Sequence, residues 1–466
     1  MEIFPSIWGI SLDLWHAEHE GPEGLRRRQN GRFAALLAHA RGASRFYRRL
    51  YQHLPADGVK LHDLPVVTKP ELMEAFDDWV TDPRITRADV ERFTEDPSLI
   101  AKPYRDDYFV CMSSGTTGIP GLFIYDPDAI NMYRAIAFAR IEHTWLGASD
   151  WLHMAQRGFR WAGVFGTGAH YVGAGWIELE RQRDAFRAGA FRVFSVQQPL
   201  NELVADLNSF DPAMLTGYPS ALELLADEQI AGRLELRPAL LECGGETLSQ
   251  ESAERITSAF GCALRNIYSA SECLTMAFSC DQNWLHVNSD WVILEPVNED
   301  HRPTAPGEPS HTVLLTNLAN RVQPIIRYDL GDSVLVRPDR CPCGSPLPGI
   351  RVAGRNDDIL RLLGVDGNIL KVLPLAIGTV VEETPGIHRS QLIQTGPDTI
   401  RLRLDIKDGA DSETVWKEAT ERLKAYLVTQ RLANVALLRA SEPPEQSARF
   451  GKFRQVLVDP MIAGQR

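Results

Sequence analysis

The sequence predicts an α/β protein, with a large N-terminal α/β body and a smaller α+β region at the C-terminal end. Three observations predict it. From about residue 107 to 330, short apolar segments such as YFVCM, GLFIY, AMLTGY and ALLECGGE end in Gly, Ser or Thr and alternate with helical stretches such as NELVADLNSF and SALELLADEQIA. Strands alternating with helices point to sheets that are at least partly parallel. HTVLLTNL to PIIRYDLGDSVLVRP is denser in strand and reads as antiparallel. The last ~110 residues have their own pattern, SQLIQT and TIRLRLDI, then SETVWKEATERLKAYLVTQ as a helix, then VALLRA, enough for a separate small unit.

The first 60 residues read as helix. Phe33, Leu36, Leu37 and Ala40 recur at i, i+3, i+4 and i+7 with arginines on the flanks, the pattern of a helix packed on the body with a solvated basic face. In LPVVTKPEL, Thr68 is an expected helix N-cap, with Pro70 in the first turn and Glu71 at the third position. In α/β sheets ligands bind beyond the carboxyl ends of the strands, so the Gly/Ser/Thr-rich strand ends are where a site is sought.

The chain has 466 residues and a net charge of −12, from 49 Lys plus Arg against 61 Asp plus Glu. The length is roughly three times the commonest domain size and suits an enzyme. The acidic balance argues against nucleic-acid binding. No apolar run reaches the ~18 residues of a membrane span, so no membrane partner is expected. The N-terminal residues lack the marks of a secretory signal. Seven cysteines fit a reduced compartment, so a cytoplasmic location is expected.

The densest chemical signal is SSGTTGIPG, Ser113 to Gly121, directly after YFVCM. Small hydroxyl side chains and exposed backbone amides suit the oxygens of a polyphosphate. The spacing is not that of a Walker loop. The segment resembles the phosphate loop of the adenylate-forming superfamily of acyl-CoA synthetases, adenylation domains and luciferases. Further segments follow in that family's order. YSASE, Tyr268 to Glu272, resembles Tyr-Gly-x-Thr-Glu. RYDLGD, Arg327 to Asp332, resembles Tyr-Arg-Thr-Gly-Asp, and GRNDD, Gly354 to Asp358, resembles the Gly-Arg-x-Asp hinge. GKFRQV carries Lys452 where the family keeps its catalytic lysine. With SRFYRRL, LPVVTKPEL and CPCG, the order is most similar to the phenylacetate–CoA ligase branch, some members of which are labelled for capsule biosynthesis.

The resemblance implies a body of residues 1–353 and a mobile C-terminal lid of 354–466 that turns at Asp357. It implies that Ser113, Ser114, Gly115, Thr116, Thr117 and Gly118 enclose the β- and γ-phosphates of ATP. Glu272 would hold Mg²⁺, a hard cation usually anchored by one or two carboxylates and phosphate oxygens. Tyr268 would stack near the adenine, Gly244, Gly245 and Glu246 would line its pocket, and Ser269 and Ser271 belong to the nucleotide-binding set. Asp332 would accept from the ribose hydroxyls, and Arg355 belongs to the same nucleotide set. Lys452 would bridge the α-phosphate and the acid carboxylate. The implied reaction makes an acyl-adenylate from a carboxylic acid, expected to be aromatic or arylacetic, and passes the acyl group to coenzyme A. Alternative acceptors are an amine or a carrier-protein thiol. A third possibility is a homologue that binds nucleotide without turnover. A homodimer is the base-rate expectation.

Two departures from the family pattern bear on ATP. Ile119 stands where the family often has Lys, so other basic residues must compensate. Asp329 stands where Arg is usual and adds negative charge close to where ATP is expected.

Cys280, His286, Cys341 and Cys343 form a second constellation, CDQNWLH and CPCG. Cys₃His is a recognised tetrahedral zinc set, and members of the ligase branch are similar here, which implies a structural zinc. Cys111, Cys243, Cys262 and Cys273 read as packing. Finally, RGFRWAGVFGTGAHYVGAGW shows no clear strand-turn-helix frame. Its Trp161, Phe165, His170 and Tyr171 are candidates for one wall of a flat apolar pocket.

Overall fold

The computed structural model describes residues 7–55, 58–105, 107–113, 120–246, 248, 250–352, 360–372, 374–407, 409–445 and 455–459. They fall into two compact units. One takes its residues from 1–113, 121–153 and 265–354, the other from 114–120, 154–264 and 355–466.

The first unit opens with the helices Ile7–His19, Gly21–Ala43 and Arg45–Leu50. Leu36, Leu37 and Ala40 are buried, as their spacing predicts. Ser44 ends one helix and starts the next: its N–H donates to the Ala40 carbonyl and its hydroxyl accepts from the Tyr47 N–H. The basic flank is not wholly solvated. Arg28 and Arg32 pair with Asp13 at 2.7 and 2.5 Å, and Arg32 lies over the Trp291 ring at 3.5 Å. Helical periodicity assigned those arginines to solvent because their partners lie on other segments. Thr68 and Glu71 form the expected capping box at the start of Lys69–Glu74.

The strands of this unit are antiparallel. Ala263–Ala270, Cys273–Ser279, Leu285–Val287, Gly349–Val352 and Val334–Val336 pair in that order. Val292–Val297, Thr312–Asn317 and Ile325–Asp329 form a separate antiparallel sheet, as the strand-rich pattern predicts. Phe109–Met112 and Leu122–Tyr125 make a hairpin.

The second unit holds the parallel strands. Phe191–Ser195, Trp161–Phe165, Met214–Gly217 and Leu240–Gly244 lie side by side, all parallel. The helices Val172–Arg183, Leu200–Phe210 and Pro219–Ile230 connect them in sequence. Val164, Leu207, Leu215, Leu222, Leu225 and Leu241 are buried between strands and helices, each contributing roughly 1.5–3 kcal/mol of apolar burial. Residues near the C-terminus add a four-stranded sheet in the order Ala436–Arg439, Thr399–Ile406, Ile387–Gly396, Val456–Val458. The helices Pro374–Glu382 and Ser412–Thr429 accompany it. The architecture is thus the α/β body and C-terminal sheet-and-helix region that the pattern predicts. Among the described residues, no helix is long and apolar enough to cross a membrane.

Candidate active site

The Ser113–Gly121 segment is rooted in a hairpin. The Ser113 N–H donates to the Gly121 carbonyl at 2.9 Å, and the Gly121 N–H donates to Ser113 Oγ at 2.8 Å. A Cβ at Gly121 would stand 2.5 Å from the Phe123 ring, so the turn requires glycine there. Buried Gln323 holds the outer strand, accepting from the Ile124 N–H at 2.7 Å and donating to the Leu122 carbonyl at 3.3 Å. Ser114, Gly115, Thr116, Thr117, Gly118 and Ile119 lie outside the described residues, as do Arg355, Asp357 and Lys452.

Ser271 and Glu272 form the two-residue tip between the strands Ala263–Ala270 and Cys273–Ser279. The tip is fastened to the first hairpin. Ser271 Oγ donates to the Met112 carbonyl at 3.0 Å, and the Tyr125 hydroxyl donates to the Ser271 carbonyl at 2.6 Å. The ladder shifts register across Ser269, a bulge that re-aims the neighbouring side chains.

Two hydrogen bonds join this tip to the Ile325–Asp332 segment. The Tyr328 hydroxyl donates to Glu272 Oε1 at 2.7 Å, and the Tyr268 hydroxyl donates to Asp332 Oδ2 at 2.8 Å. All four side chains are buried, so their charges and hydroxyls are held in fixed positions rather than freely solvated. The Tyr268–Asp332 and Glu272–Tyr328 pairs therefore sit on the same two segments, with Ser113 at the edge of the group.

Lys69 is the basic residue of this group. Its Nζ is 3.2 Å from Ser113 Oγ and 3.9 Å from Glu272 Oε1, and its side chain is only 13% exposed. The backbone fixes it. Val67 bridges Tyr328, its N–H donating to the Arg327 carbonyl at 3.1 Å while it accepts from the Asp329 N–H at 2.9 Å. From the sequence, LPVVTKPEL reads as a helix start and as a segment similar to the ligase branch, and neither reading singles out Lys69. A cation in the first helical turn opposes the helix dipole, and that mismatch was the available signal. Tyr328 was missed as well, although a Tyr in a buried strand needs a partner for its hydroxyl.

Asp329 is occupied by the fold. Its Oδ1 accepts from Thr312 Oγ1 at 2.5 Å and from the Gly331 N–H at 3.0 Å. Gly331 takes φ +73°, and the carboxylate closes the turn that leads into Asp332. The thiols nearby are not poised for attack. Cys273 is fully buried, which pushes its thiol up to about 12. Burial raises Cys111 as well, and, in the second unit, Cys243.

In the second unit, Gly244, Gly245 and Glu246 follow the strand Leu240–Gly244. Gly245 has φ +81°, and a Cβ there would come within 3.2 Å of the Tyr218 ring. Glu246 Oε2 accepts from the Ser220 N–H at 3.2 Å, at the start of the helix Pro219–Ile230. Between Trp161–Phe165 and Val172–Arg183 the aromatic-glycine stretch is, after all, a strand, a turn and a helix. Phe165 packs edge-on to Tyr218 at 5.2 Å, and Trp161 donates to Thr216 Oγ1 at 2.6 Å. His170 is buried, and Tyr171 is shifted up by burial and by the carboxylates of Glu382 and Glu383.

The two halves of the cysteine constellation meet. One ligand atom from each of Cys280, His286, Cys341 and Cys343 lies within 4.8 Å of all the others. Cys280 Sγ is 3.7 Å from Cys341 Sγ, and Cys343 Sγ is 3.2 Å from His286 Nε2. Tetrahedral zinc with Zn–S bonds of ~2.3 Å needs sulfurs about 3.8 Å apart. His286 Nδ1 lies 2.9 Å from the Leu347 carbonyl. Donation there leaves Nε2 as the lone-pair nitrogen, the usual second-shell arrangement of a metal-binding histidine.

No protein-family model matches the chain. It is 23% identical to Protein CapK of Staphylococcus aureus over 423 residues, which span 85% of this chain and 82% of that one. Among solved structures it matches 2-hydroxyisobutyryl-CoA ligase in complex with 2-HIB-AMP and CoA in the thioesterification state. The TM-score is 0.56 at 22% identity, covering 95% of this chain and 92% of that one. The same ligase in the postadenylation state with R3-HIB-AMP gives a TM-score of 0.53 at 22% identity, covering 95% and 91%. The chain thus shares the fold of these ligase structures.

Proposed function

We propose that the chain is an acid–thiol ligase. It activates a carboxylic acid with MgATP to an acyl-adenylate, then transfers the acyl group to coenzyme A. The observation that carries this reading is the paired linkage of Glu272 to Tyr328 and of Tyr268 to Asp332, with Ser113 and Lys69 alongside. A polyphosphate, a divalent cation and a ribose need this mixture: hydroxyls and amides, one carboxylate for the metal, and another as hydrogen-bond acceptor.

In the first step an oxygen of the acid carboxylate bonds to the α-phosphorus. The bond from that phosphorus to the bridging oxygen breaks, and pyrophosphate leaves with the electron pair. The protein's contribution is positioning and charge neutralisation. Glu272 would hold Mg²⁺, which supplies positive charge against the phosphates. Asp332 orients the ribose, Tyr268 lies against the base, and Lys452 bridges the α-phosphate and the carboxylate. In the second step a thiol attacks the acyl carbonyl and AMP leaves. The C-terminal residues from about 354 turn at Asp357 between the two steps, removing Lys452 from the site. An aromatic or arylacetic acid is the proposed substrate of the phenylacetate–CoA ligase-like branch. Cys280, His286, Cys341 and Cys343 would hold a structural Zn²⁺, and their donor chemistry and spacing fit it.

Pyrophosphate release with MgATP, measured over a panel of aryl, arylacetic and fatty acids with and without coenzyme A, tests the reading. Acid-dependent release is expected, falling about 10²–10³-fold in Lys452→Ala, and coenzyme A should accelerate AMP release. AMP release that depends on an added amine instead would reassign the acceptor. No release with any acid would refute adenylation.

A further inference from the structure

We propose that the outward face of the helix Ile7–His19 is the surface on which a second copy of this chain packs, about a twofold axis. The helix is apolar on two opposite sides. Ile10, Leu14 and Ala17 are buried and form the side that faces the body. Trp8, Leu12 and Trp15, at i, i+4 and i+7, make one stripe on the other side. They are 75%, 58% and 53% exposed, and Phe138, 51% exposed, stands beside them with its ring edge-on to Trp8 at 6.4 Å.

The helix cannot roll to hide this stripe. Glu18 accepts from buried Arg140 at 2.5 Å, and Arg140 is held in turn by Asp290 at 2.9 Å. Asp13 pairs with Arg28 and Arg32 at 2.7 and 2.5 Å. Rolling would break these pairs and expose the inner apolar side. The outer rings are also ordered in advance: His19 lies against Trp15 at 3.8 Å, as Phe138 lies against Trp8. Aromatic anchors already held lose little freedom on association.

Three features select a second copy as the occupant. The stripe reads aromatic, aliphatic, aromatic in either direction, so it is close to self-complementary, as an isologous twofold contact requires. An antiparallel pair with its axis near Ser11 and Leu12 sets Trp8 against the partner's Trp15. The stripe from Trp8 to Trp15 carries no charge, so no like charges meet there. The area suffices as well. The four residues present on the order of 500 Å², and two copies would bury about 1,000 Å², the lower bound of a specific interface, before any rim is added. A membrane surface fits less well. The helix has no Lys or Arg, and a chain of net charge −12 is repelled by anionic lipid.

Sedimentation equilibrium of the full chain, up to about 100 μM, tests the proposal with wild type, Leu12→Glu and Ile230→Glu. Wild type is expected to sediment as a dimer. Leu12→Glu, which sets two carboxylates near the axis, should weaken association about thirtyfold or more. Ile230→Glu, at an equally exposed apolar position on another helix, should leave it unchanged. Circular dichroism monitors folding, and if Leu12→Glu does not fold, Trp8→Ser takes its place with the same expectation. Leu12→Cys under mild oxidation should give a covalent dimer that wild type does not form. A wild type that stays monomeric, or a dimer that survives Leu12→Glu, would overturn the proposal. Monomeric wild type that sediments with phosphatidylglycerol vesicles would overturn it too, giving the face to a membrane.

Discussion

Asp329 illustrates how a single residue changes meaning once its partners are known. From sequence its charge stands close to the expected nucleotide and opposes it. In the structure its Oδ1 is engaged by Thr312 Oγ1 and by the Gly331 N–H, so the carboxylate serves the turn before Asp332. Asp329→Asn keeps an acceptor oxygen at that place and removes the charge. Its KM for MgATP is expected to stay within about twofold of wild type, because the amide oxygen keeps the acceptor that closes the turn before Asp332. Asp329→Ala deprives both donors and is expected to cost about 1–2 kcal/mol in urea unfolding, with a raised KM for MgATP as Asp332 loses its support. A KM that drops sharply in Asp329→Asn would restore the opposing-charge view. Thr312 could not be named as a partner from the sequence, since that contact joins positions 17 apart along the chain, whereas the Gly331 N–H lies two residues on, within the turn itself.

Elements carry the signals that are local. Thr68, Pro70 and Glu71 announce a helix start because a capping box closes within four residues, and the structure forms it, with Glu71 Oε2 accepting from the Thr68 N–H at 2.7 Å. Thr68→Ala should lower unfolding free energy by about 1 kcal/mol, measured by urea denaturation. Unchanged stability in that variant would mean the cap contributes nothing. Other elements hide. The helix Val172–Arg183 begins VGAGW, and glycine there argues against helix. Gly173 is needed for another reason: a Cβ would lie 2.7 Å from the Phe165 ring. The strand Ala263–Ala270 has no alternation of apolar and polar residues, and its burial is mostly intermediate. Periodicity therefore did not reveal the hairpin that presents Tyr268 and Glu272. Only the likeness of YSASE to a family segment marked them.

At the scale of the molecule, the alternating pattern and the separate C-terminal pattern were legible because each rests on local periodicity. How the chain groups was not. Residues 162–260 share a continuous buried cluster with residues 360–458, although the two stretches are almost a hundred residues apart, while 265–352 packs with the N-terminal helices. The cysteine constellation obeys the same logic of distant segments. Cys280 and His286 come from one hairpin, and Cys341 and Cys343 from the knuckle before the strand Gly349–Val352, which pairs with Leu285–Val287. A bound Zn²⁺ would cross-link segments about sixty residues apart, and its binding energy would count as folding energy for this unit. Protein purified without chelator is expected to carry about one equivalent of zinc per chain, by metal analysis. Cys280→Ser with Cys341→Ser should lose the metal and lower the melting temperature by several degrees, a shift that added zinc does not reverse. Wild type stripped with chelator should show the same loss but recover on zinc addition. Far less than one equivalent in wild type, with no effect of chelator on melting, would leave the four residues as a packed cluster, with Cys280 and Cys341 against Trp284, and no metal role.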